Sequence, residues 1–451
     1  MLNAPDGTTT QLPPSIRMRQ VSTLSPYAGN ARTHSRRQIR QIADSITRFG
    51  FTNPVLIDDA GGIIAGHGRV AAAKVLGLSE VPTIALSHLS QEERRAYVLA
   101  DNKLAENAGW DRDTLAIELQ GLIDIGFDLE VTGFSLAEID LTLDAARSKG
   151  MESSGREDLV PLHRDGPVVT RPGDLWQLGD HVLICGDARD PEAIDRLAGG
   201  QPIDLIFTDP PYNVPIDGHV SGLGRVRHRE FAFASGEMSP AAFVTFLEAS
   251  LGNAARIARD GAIAFVCMDW RHMGELLAAG SAVFSELKNL CVWNKTNAGM
   301  GTFYRSKHEL VFVFKVGTGA HTNSFGLGDT GRYRTNVWDY AGVNVPGRAA
   351  EEALAMHPTV KPVALVADAI RDCSRRGEVV LDPFAGSGST LIAAESCGRR
   401  ARLVECDPQY CDVTLRRWQA YSGRPAVRAA DGARFDDAEV GVSPAIEKVT
   451  Q

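Results

Sequence analysis

Beyond residue 168 the chain repeats one unit: a short, nearly uninterrupted apolar run, then a loop, then a helical stretch. The runs are HVLIC (181–185), PIDLIF (202–207), GAIAFVC (261–267), VVL (379–381) and ARLVE (401–405), with helices expected across 240–258 and between the last two runs. A strand that is apolar at successive positions needs cover on both faces, and strands joined through helices pair in parallel. The pattern therefore predicts an α/β domain built on a mostly parallel, doubly wound Rossmann-like sheet. In such sheets ligands bind in the crevice at the carboxyl ends of the strands, so the loops after the apolar runs are where chemistry is expected.

The amino-terminal third follows a different grammar. Ser35 and Gln38 have capping-box spacing, and Ile39, Ile42, Ile46 and Phe49 recur on one helical face that should stop at Gly50. PVLI (54–57) and GIIA (62–65) flank a turn as a hairpin, AGHGR (65–69) opens a helix, and VPTIAL (81–86) returns as a strand. Ser90 with Glu93 and Ser135 with Glu138 start further helices, with another after Trp110. Residues 16–147 thus read as a smaller α+β domain with a helical extension. The aperiodic segment 148–167 reads as a linker, 168–425 as the α/β domain, 1–15 as a disordered tail and 426–451 as a carboxy-terminal tail. A length of 451 residues suits such a multidomain arrangement.

Composition excludes several function classes. The seven cysteines include no C-x2-C pair and no neighbouring His at ligand spacing, so no metal site is expected. No apolar stretch approaches the ~20 residues of a membrane span, and the first 20 positions lack a signal-peptide core, so a cytoplasmic protein with no membrane partner is expected. Lys and Arg number 47 against 56 Asp and Glu, a net charge of −9, so any contact with nucleic acid must be local.

Two loops carry the chemistry. Asp209-Pro210-Pro211-Tyr212 follows IDLIFT, and Asp382-Pro383-Phe384-Ala385-Gly386-Ser387-Gly388-Ser389-Thr390 follows VVL. Gly386 and Gly388 let a ligand approach the backbone, and Glu405 ends the next strand about 20 residues on, where an acid accepts bonds from ribose hydroxyls. That combination suggests a nucleoside cofactor. GSGST lacks the lysine of a phosphate-binding loop, and no G-x-G-x-x-G is present. In the first loop, the Asp209 carboxylate and the Pro210 carbonyl could accept the two hydrogens of an amino group conjugated to an aromatic ring, freeing its lone pair for attack. The prolines stiffen the loop, and Tyr212 offers a stacking face for a flipped base.

Six separated segments of residues 170–422 resemble, in order and spacing, S-adenosylmethionine-dependent DNA amino-group methyltransferases of the permuted arrangement. They are GDA (186–188), DPPYN (209–213), WNKTNAG with YRSKHELVFVFK (293–299 and 304–315), HPTVKP (357–362), LDPFAGSGST (381–390) and VECDPQYCDVTLRRW (404–418). The resemblance implies S-adenosyl-L-methionine as cofactor and Asp209, Pro210, Pro211 and Tyr212 as catalytic residues. It places Asp187, Asp382, Phe384, Gly386, Ser387, Gly388 and Glu405 around the cofactor, with Thr359 and Lys361 at its methionine end. DPPY is more usual for adenine N6, whereas Ser in place of Asp209 is more usual for cytosine N4. The favoured reading is thus methylation of adenine N6 in double-stranded DNA. Alternatives are cytosine N4, a protein or RNA amide, and a DNA-binding protein with a silent methylase body.

Residues 288–340 carry seven Lys or Arg against three acids, interleaved with Trp293, Phe303, Tyr304, Tyr333 and Trp338. This excess suits a target-recognition region, with Lys295, Arg305 and Lys307 as DNA-binding candidates and Arg225 and Arg227 in a second cluster. The amino-terminal domain resembles the ParB and sulfiredoxin-like domain through LSPYAGNAR (24–32), GFTNPVLID (50–58) and AGHGRVAAAKVLGL (65–78). That resemblance implies a nucleotide phosphate at Gly66, His67 and Arg69. However, the box has His67 and Gly68 where a Glu-Arg pair is commoner, so a structural or DNA-clamping role stands beside it. The oligomeric state is open, with a homodimer admitted.

Overall fold

The computed structural model describes residues 15–150, 156–161, 168–214, 236–296, 303–325, 334–342 and 360–442. Two compact units divide at residue 150. Among the described residues, no helix is long and apolar enough to cross a membrane.

The first unit has a four-stranded sheet of β1 (Arg17–Gln20), β2 (Val55–Ile57), β3 (Ile63–Ala65) and β4 (Glu80–Ala85), in the order β1-β4-β2-β3. Helix α1 (Arg36–Phe49) starts at Ser35, whose side chain accepts the Gln38 amide, and stops at Gly50 with φ +81°. The hairpin of β2 and β3 is antiparallel, and α2 (His67–Val75) follows it directly. Val21, Val55, Ile57, Ile63, Val70 and Val81 form the core. Helix α3 (Gln91–Glu106) opens with a complete capping box at Ser90 and Glu93. Helices α4 (Arg112–Asp124) and α5 (Leu136–Gly150) have a separate small core of Ala116, Leu119, Leu129, Ile139 and Leu143.

The second unit is a ten-stranded mixed sheet. Its strands are β5 (Leu175–Leu178), β6 (His181–Cys185), β7 (Ile203–Thr208), β8 (Ala258–Met268), β9 (Glu286–Asn294), β10 (His308–Lys315), β11 (Val337–Asp339), β12 (Val379–Asp382), β13 (Arg400–Glu405) and β14 (Val427–Arg428). The five central strands, β8-β7-β12-β13-β6, are parallel; β10 and β5 flank them antiparallel. Alternation along each strand sorts side chains onto two faces. Leu205, Phe207, Phe265 and Cys267 face one core, with α9 (Val363–Cys373) and α10 (Ser389–Cys397). Ile206, Ala264, Val266 and Met268 face the other, with α6 (Pro191–Ala198), α7 (Pro240–Ile257) and α8 (Met273–Val283). Strand β13 leads into α11 (Pro408–Ser422).

Two boundaries differ from the sequence reading. Fold continues past 425: β14 pairs with β5, and α12 (Phe435–Val442) buries Phe435 edge-on against Trp176 at 5.6 Å. Single anchoring residues around a turn leave no periodic signal. In the segment expected as linker, α5 runs to Gly150, Asp158 accepts the Val363 amide at 2.9 Å, and Val160 is buried. The 1–15 tail, apart from Ser15, lies outside the described residues, as do positions beyond 442.

Candidate active site

Strands β7 and β12 are direct parallel neighbours, with Leu381 opposite Ile206, so the two loops that follow them leave the same edge side by side. Both line one cleft, which is bounded by Asp209, Pro210, Pro211 and Tyr212 from the first loop and by Phe384, Gly386 and Ser387 from the second. The meeting of loops some 170 positions apart, required by the sequence reading, is observed.

On the glycine side, Gly386 has φ +52° and a Cβ added there would meet no atom within 4 Å, so the backbone faces open cleft. Gly388 has φ +83° for the opposite reason: a Cβ would lie 2.8 Å from Thr414, whose hydroxyl bonds to the Gly386 carbonyl at 2.9 Å. Glu405, at the end of β13, accepts the amides of Gly386 at 2.8 Å and Asp407 at 2.9 Å. Burial pushes its carboxyl up to about 7, against the pull of those amides. Asp382 also lines the cleft, and its carboxylate is engaged from behind. It accepts the hydroxyls of Thr208 and Thr390 and the Phe384 amide, and clasps the two loops together. Asp187 is not among the residues lining that cleft and forms a bidentate pair with Arg189, Nε to Oδ1 and Nη2 to Oδ2. Thr359 lies outside the described residues, while Lys361 lines the cleft.

On the other side, Asp209 is fully engaged. Its Oδ1 accepts the Tyr212 hydroxyl at 2.6 Å, and its Oδ2 accepts Lys361 Nζ at 2.5 Å. Lys361 also donates to Tyr212 Oη at 3.1 Å, pairs with Glu309 Oε2 at 2.9 Å, and sits over the Tyr212 ring at 5.5 Å. Glu309 in turn binds Lys295, which lies over the Trp293 ring. Burial, with the Glu309 charge adding to it, lifts the Asp209 carboxyl above its ordinary value; Lys361 pulls the other way. For Glu309 burial also pushes upward, but Lys361 and Lys295 outweigh it and hold the group at about 2. Asn213, with φ +54°, donates its amide to the Met238 carbonyl and accepts the amides of Gly236 and Met238, fixing the loop's far end.

Glu309 was assigned no role from sequence, although a carboxylate opening the apolar strand HELVFVFK was a usable signal. Three of the seven cations of 288–340 form ion pairs within the chain. Lys295 pairs with Glu309, Lys288 with Glu286, and Arg334 with Asp372 and Asp368. Trp293 and Trp338 are buried in the core and offer nothing to a groove. Arg305 and Lys307 are exposed, beside exposed Phe303 and Tyr304. Arg225 and Arg227 lie outside the described residues. In the first unit, Gly66 (φ +103°) caps α2 and Arg69 donates to the Asn53 carbonyl at 3.2 Å. His67 Nε2 accepts the Tyr27 amide at 3.2 Å, and burial and then His34 lower its pKa, so it is a neutral acceptor there.

Comparison with known proteins matches residues 203–416 to the DNA methylase family, residues 9–103 to the ParB N-terminal domain, and residues 113–172 to the ParB-methyltransferase HTH domain. Residues 203–416 are a DNA methylase domain of the N6/N4 type, and the amino-terminal domain is of the ParB type. The latter is similar to the ParB-like nuclease domain-containing protein YnaK of Escherichia coli K12, 57% identical over 77 residues that cover 17% of this chain and 88% of that one. The methylase is similar to the Type II methyltransferase M.HinfI of Haemophilus influenzae, 27% identical over 241 residues, 49% of this chain and 65% of the relative. Among solved structures, the M1.HpyAVI–SAM complex aligns at 18% identity and a TM-score of 0.39 over 52% of this chain and 97% of its own.

The methylase takes S-adenosylmethionine as methyl donor. Its cleft fits that molecule: Glu405 presents a buried carboxylate suited to hydroxyl donors, Gly386 leaves open space, and Phe384 and Tyr410 supply apolar walls. Tyr410 and Cys406 line the cleft without having been singled out in the sequence.

Proposed function

We propose that this methylase transfers a methyl group to the N6 amino group of an adenine flipped out of double-stranded DNA. The observation that carries this reading is the Asp209 carboxylate, held by Tyr212 and Lys361 and lining the same cleft as Gly386 and Glu405. A carboxylate there accepts an amino hydrogen, and the Pro210 carbonyl accepts the other, so the nitrogen lone pair is released from the ring. The bound donor supplies a methyl group on a sulfonium, which needs neither a metal nor a covalent enzyme intermediate to activate it. Glu405 and Gly386 would hold the donor's nucleoside, and Lys361 would neighbour both ligands. Tyr212 uses its hydroxyl to orient Asp209, beyond the stacking role expected from sequence.

Arg305 and Lys307, exposed next to Phe303 and Tyr304, would position phosphates and enter the groove. For the amino-terminal domain, the neutral His67 and the engagement of Arg69 with Asn53 favour a DNA-clamping accessory over a nucleotide hydrolase. The test is to treat double-stranded DNA with the protein and isotopically labelled donor, digest it to nucleosides and weigh the products. Labelled N6-methyladenine is expected; N4-methylcytosine as the sole product would overturn the adenine assignment.

A further inference from the structure

Lys361 places a buried positive charge against the carboxylate that must assist the reaction. As the amino nitrogen bonds to the methyl group, the sulfonium–methyl bond breaks, positive charge passes from sulfur to nitrogen, and one amino proton leaves. An uncompensated ammonium 2.5 Å from Asp209 opposes this twice. It repels the charge developing on nitrogen, and it weakens Asp209 as proton acceptor. Yet the ammonium is not uncompensated. Glu309, on β10, pairs with Lys361 at 2.9 Å, and Lys295, at the end of the neighbouring β9 region, closes the set with a second cation on the same carboxylate. Two carboxylates thus meet two ammonium groups, and the cluster is neutral as a whole.

We propose that Glu309 is a positioning residue for methyl transfer: it holds the Lys361 ammonium as a counter-charge, so that Asp209 keeps the negative field and the basicity the amino group needs. The groups that face Asp209 come from every element around it. Tyr212 lies on its own loop, Lys361 ahead of α9, Glu309 on β10, Cys267 on β8 and Asp382 on β12. Of these, Lys361 is the cation, and Glu309 is the charge that shares it. When the target amino group donates to Asp209, Lys361 falls back onto Glu309 without leaving either charge buried and unpaired. Lys295 also ties this carboxylate to the segment just ahead of 297–302, within the stretch read as target-recognition region.

The proposal rests on transfer to an exocyclic amine and not on which base carries it. The experiment is a single-turnover pH–rate profile of the full chain with Glu309→Gln and Glu309→Asp, alongside donor affinity by titration and folding by thermal melt. For Glu309→Gln the rate plateau should fall at least tenfold and donor affinity stay within threefold. Its acid limb should move to lower pH, because Lys361 then pairs with Asp209 alone; Glu309→Asp should restore most of both. A merely structural role would lower the rate without moving the limb, and an unmoved or raised limb overturns the proposal. Should Glu309→Gln fail to fold, Lys361→Met must raise the limb, and an unmoved limb there also overturns it. Nucleoside analysis of the same reactions separates the two readings: N4-methylcytosine would remove the adenine assignment and leave the role of Glu309 standing.

Discussion

Thr208 donates its hydroxyl to Asp382 across 2.8 Å, and through this bond the last residue of β7 grips the last residue of β12. The contact sets the spacing between the amine-binding loop and the cofactor loop. Burial drives the Asp382 carboxyl up to about 6 even though Thr390, Phe384 and Thr208 all donate to it. Thr208→Val keeps the shape and removes one donor from a buried acid, which should cost about 1–3 kcal/mol of stability and slow methyl transfer. Urea unfolding of both proteins measures it; stability unchanged within about 0.5 kcal/mol would contradict the clasp.

Gly388→Ala tests the cofactor loop. A methyl group there combines φ +83° with a 2.8 Å approach to Thr414 Cγ2, and should destabilise by about 1–3 kcal/mol. Adding Thr414→Ser removes the clashing methyl and keeps the hydroxyl that holds the Gly386 carbonyl, so part of the loss should return in thermal unfolding. Equal melting of both variants would place the strain elsewhere.

Glu405 gives a pH dependence with a definite sign. Its carboxyl rises from 4.5 to about 7 in the folded chain, so the donor-free protein binds a proton there as pH falls below neutral. The stability from that protonated form is complete below 4.5 and lost as pH rises through about 7. Ribose hydroxyls donate best to the ionised form, so donor affinity should fall from pH 8 to pH 6 and binding should release a proton. Titration calorimetry in buffers of different ionisation enthalpy reads that proton; Glu405→Gln should abolish its release and weaken binding at pH 8 about tenfold or more.

Arg305 and Lys307 are exposed on the segment between β9 and β10. Replacing both by alanine should weaken DNA binding and lower the slope of log affinity against log salt by about 1 to 2, as loss of one or two phosphate contacts requires. Fluorescence anisotropy over a salt series provides the slope, and an unchanged value would remove these residues from the DNA interface.

Much of this architecture could be read from the chain because it depends on local pattern. Apolar runs gave the parallel core, Ser35, Ser90 and Ser135 marked helix starts, and Asp209, Gly386 and Glu405 announced a shared cleft. What escaped depends on partners far apart in sequence. Lys295 looks like a free phosphate contact until Glu309 is seen beside it, and Trp293 looks like a stacking surface until β10 and β11 flank its strand. Asp187 matches a motif, and its pair with Arg189 two residues on is a contact that the motif alone does not reveal. Phe435 showed no periodicity, yet it closes the core against Trp176.

In the proposed reaction Asp209 acts on the amine while the glycine loop and Glu405 hold the donor. Asp209→Ala, assayed on one preparation for both donor binding and single-turnover methyl transfer, separates the two. Donor affinity should stay within threefold, while transfer should fall by about 10²–10⁴. Transfer at the wild-type rate, or loss of donor binding equal to the loss of transfer, would contradict it.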